Sequence, residues 1–283
     1  MSRPDWHLIG VDFSCAPSRR KPITVARGRL VDGVVRLHAV DALPDLAAFD
    51  ALLREPGPWL GGFDFPFGLP RAFVDEMALG GDSASVVREL RRRCPARRDF
   101  QALVDAWGAS RPPGRRLLHR VTDTAMPGVS SSSPLQTRYV PVGFMYHEGL
   151  PRLLDAGVTL PRMHAGDATR QALEAYPGLL AFELIGRRSY KNADLAERIA
   201  ARHDLLQRLE AGHGRLELRL QLAPSLRQHL VDDASGDRLD AALCLVQAAW
   251  ASRWADHGLP AAFDPIEGWI TTAPAVGKSA TQR

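Results

Sequence analysis

Cysteine is scarce in this sequence, which argues against two ways of stabilising a fold. The three cysteines, Cys15, Cys94 and Cys244, are scattered along the chain, and no two of them have the spacing of a zinc-binding pair. A disulfide framework is therefore not expected, and this cysteine usage is typical of a protein in a reducing cytoplasm.

Long hydrophobic runs are missing as well. No apolar run approaches the ~20 residues that a helix needs to span a bilayer. The first residues, "MSRPDWHLIG", carry an aspartate and lead straight into strand-like sequence, which is unlike a signal peptide. We therefore expect a cytoplasmic protein without a membrane partner.

The composition that remains is that of an ordinary globular protein. The chain has 283 residues, of which 45% are hydrophobic and 24% are charged, which is enough to bury a substantial core. We expect one domain over residues 1–283, with an insertion at about 71–157.

Positive charge is concentrated in one part of the chain. The net charge is only +4, but residues 88–120 contain ten arginines and only three acids. The arginines are Arg88, Arg91, Arg92, Arg93, Arg97, Arg98, Arg111, Arg115, Arg116 and Arg120. This excess favours a polyanion such as RNA or DNA as partner, although a solvated arginine-rich helical face would give the same pattern.

The order of the apolar segments predicts an α/β fold. Strands are expected at 8–13, 22–29 and 34–40, with the turn signal "VDG" between the last two. A helix over about 44–55 and a strand over 59–65 follow. The order β-β-β-α-β indicates a mixed sheet, with three strands in a meander and the fourth reached by a helical crossover.

The second half of the chain is predicted to be mainly helical, after an irregular middle. Residues 71–107 have a helical pattern, whereas 108–148 are expected to be loops with short strands. A further strand over 169–176 is expected to end at Glu174. The remaining predicted helices cover about 177–185, 194–211, 224–230 and a last long segment that begins near "ASGDRLD" and ends at Gly258.

Several acids end apolar elements instead of lying on a solvated face. Asp12 closes "LIGVD" and Asp64 closes "LGGFD", while Glu174 ends a later strand. Asp237 and Asp240 are three residues apart at the start of the last helix and therefore share a face, where an unpaired buried carboxylate would be costly.

The mutual repulsion of several ionised carboxylates in such a cluster has to be offset. Two carboxylates ~4 Å apart repel by roughly 4 kcal/mol at an effective dielectric of 20. Protonation, a Lys or Arg side chain, or a divalent cation would relieve this repulsion. An all-oxygen donor set suits Mg²⁺ or Mn²⁺ better than zinc.

Four of these acids also have an ordinary structural interpretation, whereas Asp240 is harder to explain in that way because it directly precedes an apolar run. Asp12 and Asp64 fit turn chemistry, and Asp237 fits a favourable first-turn acid. Glu174 would equally suit an ion pair with an arginine such as Arg187 or Arg188. The set together is more specific than any of its members.

Five motifs in order resemble the domain of unknown function 429 family. They are "IGVDFSCAPS", "GGFDFPFGLP", "ALEAYPGL" followed by "YKN", "DDASGDRLDAALCLVQAAW" and "EGWI". The resemblance covers about 8–110 and 165–272. It implies a ribonuclease H-like mixed sheet flanked by helices, closest to the Holliday-junction-resolvase branch, with a helical or loop insertion after the fourth strand.

The resemblance also implies roles for the acids. Asp12 would be the primary metal ligand at the end of the central strand, and Asp64, Asp237 and Asp240 would be further ligands. Glu174 would be an additional catalytic acid outside the set of metal ligands. From charge alone, Lys21, Arg138 or Lys191 is expected to contact a phosphate.

Three functions are compatible with these residues. The first is a Mg²⁺- or Mn²⁺-dependent nuclease acting on RNA or DNA. The second is a catalytically silent scaffold that binds nucleic acid or protein. The third is an actin-like ATP-dependent kinase, which is disfavoured because the segment after Asp12, "SCAPSRR", lacks the glycines of a phosphate-binding turn.

Overall fold

A mixed β-sheet lies at the centre of the computed structural model, which describes residues 4–275. The strands of these residues form one seven-stranded sheet in the order β5-β6-β4-β1-β2-β3-β7. They are β1 (His7–Asp12), β2 (Ile23–Val31), β3 (Val34–Leu43), β4 (Trp59–Phe63), β5 (Val158–Thr159), β6 (Asp167–Glu174) and β7 (Arg219–Gln221).

The first three strands form the predicted antiparallel meander. The β2–β3 turn consists of Asp32 and Gly33, with φ angles of 51° and 76°, the left-handed conformation that tight hairpin turns require. Strand β4 then pairs in parallel with β1, and β6 pairs in parallel with β4. The α/β class and the mixed sheet flanked by helices are confirmed.

Helices cover both faces of the sheet. Within residues 4–275 they are α1 (Leu46–Leu53), α2 (Arg71–Glu76), α3 (Ser83–Arg93), α4 (Arg97–Ala109), α5 (Val142–Asp155), α6 (Pro177–Ile185), α7 (Ala196–Ala211), α8 (Pro224–Asp232) and α9 (Asp237–Ser252). Helices α1–α5 share one buried core with Ile9 and Val11 of β1. Helices α6–α9 share the other with Leu8 of β1 and Leu60 of β4.

Local signals explain several helix starts. Asp45 accepts a hydrogen bond from the backbone N–H of Ala48 at 2.8 Å and so caps α1. Asp82 and Ser85 form a reciprocal capping box at the start of α3. Pro177 is the first residue of α6, where its missing N–H costs nothing.

The prediction for 108–148 was wrong in its second part. In place of short strands, the described residues of this segment contain a 3₁₀ turn at Thr122–Thr124 and the start of α5 at Val142. Gly143 and Gly149 lower the helix propensity of α5, but both are packing positions. An added Cβ would lie 2.7 Å from the Pro134 carbonyl at the first and 2.8 Å from the Phe65 ring at the second.

One helix boundary and two short strands also differ from the prediction. The last helix, α9, ends at Ser252, and turns lead from there to Gly258. The short strands β5 and β7 escaped prediction because two or three residues carry too little periodicity to be recognised. Among the described helices, none has both the length and the apolar character needed to cross a membrane.

Candidate metal centre

Two of the predicted aspartates lie side by side at the ends of adjacent strands. Asp12 is the last residue of β1, and Asp64 follows β4 directly. Since Val11 pairs with Phe63 in the parallel register, the two acids leave the sheet at the same edge. The backbone N–H of Asp64 donates to the Val11 carbonyl at 2.9 Å and continues the pairing by one residue.

Close packing of α9 brings the third aspartate to this edge. Gly10 and Gly62 stand two residues before Asp12 and Asp64 and face α9. A Cβ at Gly10 would lie 2.1 Å from the Ala241 carbonyl, and a Cβ at Gly62 would lie 2.5 Å from the Cys244 carbonyl. Only glycine permits this approach, which places Asp240 beside both strand ends.

The three carboxylates form a compact group, hereafter the aspartate triad. One oxygen each of Asp12, Asp64 and Asp240 lies within 4.8 Å of the other two. Asp240 is 1% exposed, whereas Asp12 and Asp64 are half-buried. Among residues 4–275, no hydrogen bond is donated to the side chains of Asp12 and Asp64, so their oxygens are available to a ligand.

Asp240 is held by two neighbouring side chains. The Tyr190 hydroxyl donates to its Oδ1 at 2.6 Å, and the Lys191 ammonium donates to Oδ2 and forms an ion pair there. Lys191 therefore supplies one positive charge to the aspartate triad. A cation that uses Asp240 Oδ2 has to share this oxygen with Lys191 or displace the ammonium.

The pKa values of Asp12 and Asp64 are raised, which reflects their burial and the negative charge that Lys191 leaves uncompensated. Burial, followed by the charges of Asp64 and Asp237, raises the pKa of Asp12 well above its usual value. Burial raises the pKa of Asp64 to about 6, with Lys191 opposing and with Glu174 and Asp237 adding to the rise. The triad thus has a surplus of negative charge that a divalent cation would offset.

The donor set fits a hard divalent cation. All available donors are carboxylate oxygens, which suit Mg²⁺ and Mn²⁺. The nearest cysteine, Cys244, is fully buried, and burial together with the charges of Asp64 and Asp12 raises the pKa of its thiol well above the usual value. It is therefore not a thiolate ligand of the kind that zinc prefers.

Asp237 lies near the triad without belonging to it. It is half-buried in the first turn of α9, one turn before Asp240, and its charge raises the pKa of both Asp12 and Asp64. Of the two aspartates predicted on this helix, Asp240 is the one that the structure brings within ligand distance of the strand acids.

Glu174 does not belong to the aspartate triad, and its side chain leaves the sheet from the opposite face to that of Asp64, although both residues line one cavity with Lys191. The register pairs it with Phe63, and the side chains of both strands alternate between the two faces. Its carboxylate accepts hydrogen bonds from Arg120 Nη1 at 2.8 Å and Nη2 at 2.6 Å, and from the Phe67 backbone N–H at 2.9 Å. The prediction of Arg187 or Arg188 as the ion-pair partner of Glu174 was wrong, because Arg120 forms this ion pair.

Arg120 is buried and forms ion pairs with two carboxylates, those of Glu174 and Asp123. It is 2% exposed, and its second carboxylate partner is Asp123, at 2.7 Å from Nη2. The hydrogen bond from Phe67 to Glu174 ties this pair to the loop that follows Asp64. Glu174 is therefore a positioning residue for that loop in the geometry observed.

Sequence reasoning missed the partners of Asp240. Tyr190 and Lys191 belong to the "YKN" segment, and Lys191 was expected only to contact a phosphate. Of the other two expected phosphate contacts, Lys21 lies close enough to Asp12 to lower its pKa, whereas Arg138 pairs with Asp105 at 2.6 Å. The glycine two residues before each strand aspartate was the signal in the sequence that α9 would pack there.

The arginine-rich segment is mostly neutralised within the protein. Seven of its ten arginines form ion pairs with acids, namely Arg91, Arg92, Arg93, Arg97, Arg98, Arg111 and Arg120. Within residues 4–275, Arg88, Arg115 and Arg116 have no such pair. The segment is thus a network of ion pairs more than a free basic surface.

Comparison with protein-family models, with curated proteins and with solved structures finds no significant match for this chain.

Proposed function

We propose that the protein is a divalent-metal-dependent phosphodiesterase that cleaves RNA or DNA at the aspartate triad. The observation that carries the proposal is the convergence of Asp12, Asp64 and Asp240, from three separate elements, within 4.8 Å. A carboxylate group of this kind, half-open to solvent and short of positive charge, is the arrangement that metal-dependent phosphoryl transfer uses.

The strand order supports a ribonuclease H-like fold as part of the proposal. An antiparallel meander of β1, β2 and β3 is extended by β4 and β6, both parallel to β1 in sense. Asp12 ends the strand at the middle of this order, as the resemblance to the domain of unknown function 429 family implies. The insertion expected at about 71–157 would correspond to helices α2–α5, which pack together on one face of the sheet.

Each residue then has a role in the chemistry. A Mg²⁺ or Mn²⁺ ion held there would supply activation of water and would offset charge on the leaving oxygen. Asp12 and Asp64 would hold the cation with oxygens that accept no hydrogen bond from residues 4–275, and Asp240 would complete the set. Tyr190 fixes the orientation of Asp240 through its hydroxyl, and Lys191, once released from Asp240, would donate to a phosphate oxygen.

One observation favours the alternative of a scaffold that binds without cleaving. The Lys191 ammonium already neutralises Asp240, so part of the cluster is satisfied without a cation. Such a scaffold would bind nucleic acid without any requirement for Mg²⁺ or Mn²⁺.

Metal titration separates these alternatives. We expect isothermal titration calorimetry to detect Mn²⁺ and Mg²⁺ binding by the wild-type protein, and Asp12→Asn to weaken it at least tenfold. The matched control is Asp32→Asn in the exposed β2–β3 turn, where asparagine tolerates the φ of 51°. Lys191→Met should bind Mn²⁺ more tightly than wild type, because a competing cation is removed.

Cleavage is then tested on single-stranded, duplex and branched RNA and DNA with Mg²⁺ or Mn²⁺. Metal-dependent cleavage that Asp12→Asn abolishes and Asp32→Asn retains supports the proposal. The absence of metal binding at millimolar concentration overturns it, and metal-independent nucleic-acid binding without cleavage would favour the scaffold.

A further inference from the structure

A cleft of about 840 Å³ opens next to the aspartate triad. One wall is formed by residues 124–130 and the other by residues 176–192, and both Asp64 and Lys191 line it. The cleft therefore leads from the protein surface to Asp64, one of the three carboxylates for which phosphodiester cleavage is proposed.

Basic side chains outnumber acidic ones in the lining of the cleft, although Lys191 is paired with Asp240. Asp64 is its single acid among the described residues, whereas Arg187, Arg188 and Lys191 are basic. Arg187 donates one hydrogen bond, from Nη2 to the Gly128 carbonyl at 2.8 Å. Arg188 forms an ion pair with Asp204. A guanidinium has five N–H donors, so both arginines retain donors for an anion.

Flat and apolar side chains lie in the same cleft. Tyr176, Phe182 and Met126 line it, and Phe182 is half-buried. Aromatic faces beside guanidinium groups are the combination that binds unpaired bases and the phosphates that link them. An inorganic anion has no base that could stack on these aromatic side chains.

The dimensions of the cleft favour a single strand. Its walls are joined by the Arg187–Gly128 bond and by the Tyr176 hydroxyl, which donates to the Ser130 carbonyl at 3.4 Å. Cavities of roughly 300–1,000 Å³ enclose small ligands, and one or two linked nucleotides are of that size. A duplex, whose bases are stacked and paired, offers no free base to such a cleft.

We infer that this cleft binds a single strand of nucleic acid and guides its phosphate to Asp64 and Lys191. Bases would pack on Tyr176 and Phe182, while Arg187 contacts the phosphate backbone. The inference rests on the proposed function and names its substrate class, which is unpaired RNA or DNA.

Binding is measured by fluorescence anisotropy in EDTA, so that neither metal binding nor cleavage affects the result. The probes are labelled octamers of uridine and of deoxythymidine, together with a blunt RNA hairpin and a blunt DNA hairpin. The variants are Phe182→Leu, which keeps an apolar side chain, and Arg187→Ala. The matched control is Arg36→Ala, an exposed arginine of β3 on the opposite side of β1 from β4.

We expect both octamers to bind at least tenfold more tightly than the hairpins, and the tighter octamer identifies RNA or DNA. Phe182→Leu should weaken octamer binding about fivefold or more, and Arg187→Ala should weaken it and reduce its dependence on salt. Arg36→Ala should bind as wild type does. Thermal melting of each variant confirms that it is folded.

Equal or tighter binding of the hairpins, or octamer binding that neither cleft variant changes, overturns the inference. Either result leaves the proposed phosphodiesterase standing if Mn²⁺ binding still depends on Asp12. Conversely, octamer binding in the cleft without any metal binding overturns the phosphodiesterase and retains the single-strand site.

Discussion

The carboxyl group of Asp64 lies half-buried beside other acids, at the point where β4 leaves the sheet. Burial raises its pKa to about 6, and the charges of Glu174 and Asp237 act in the same direction against that of Lys191. The folded protein therefore binds a proton at Asp64 over a pH range in which an unfolded aspartate, with a pKa of about 3.9, has already lost it. The ionised form that binds a cation is destabilised by the fold.

This shift predicts that stability in metal-free buffer falls as the pH rises. A raised carboxyl pKa stabilises the folded state fully below about pH 4, and the contribution is lost as the pH passes about 6. The difference amounts to at most about 3 kcal/mol. Urea unfolding between pH 4 and 8 should show this decline in wild type and in Asp32→Asn.

Asp64→Asn removes the titrating group, so its free energy of unfolding should decline less over the same range. At pH 8 we expect the variant to be more stable than wild type. Parallel profiles for the variant and wild type would contradict this account of Asp64.

At the scale of secondary structure, the contact of α9 with β1 and β4 decides the geometry of the triad. Gly10 and Gly62 leave room for the helix backbone, with the Ala241 and Cys244 carbonyls against them. The helix face that carries Asp240 is thereby pressed against the two strand ends. Sequence periodicity predicted the helix and the strands. The distance between them depends on Gly10 and Gly62, because glycine has no side chain.

Gly10→Ala should therefore disturb stability and site together. The new Cβ would lie 2.1 Å from the Ala241 carbonyl, and overpacking of this kind typically costs about 1–3 kcal/mol. We expect urea unfolding to show this loss and calorimetry to show weaker Mn²⁺ binding, because α9 has to move away from β1. Gly81→Ala is the matched control, since a Cβ there meets nothing within 4 Å.

For the molecule as a whole, Arg120 joins parts of the chain that are far apart in sequence. It pairs with Glu174 at the end of β6 and donates from Nη1 to the Glu267 carbonyl at 2.9 Å. The neighbouring Val121 N–H donates to the Glu267 side chain at 3.1 Å. The segment between α4 and α5, the central sheet and the residues after α9 thus meet at one buried guanidinium.

Arg120→Met should lower the free energy of unfolding by about 3–5 kcal/mol, since Glu174 and Asp123 would be left buried without a counter-charge. Adding Glu174→Gln to Arg120→Met should recover part of the loss. Arg115→Met, at an exposed position five residues earlier in the chain, serves as control and should change stability little. Equal stability of Arg120→Met and Arg115→Met in urea unfolding would contradict the proposed joining role.

Local patterns determined much of the fold and the position of its acids. Alternation, turn residues and helix caps are properties of short segments, so the meander, α6 and the strand-end positions of Asp12 and Asp64 could be predicted from them. The helix α5 escaped prediction because its glycines and Pro151 oppose a helix locally, and packing against Phe65 outweighs that opposition.

Only the tertiary structure decided how the acids are partnered. Which of Asp237 and Asp240 reaches the strand ends depends on the rotation of α9 against the sheet. Glu174 is neutralised by Arg120 because strand alternation turns it to the face that helices α1–α5 cover. A hydrogen bond or ion pair between distant segments depends on atomic distances that arise only on folding, and no local pattern encodes them.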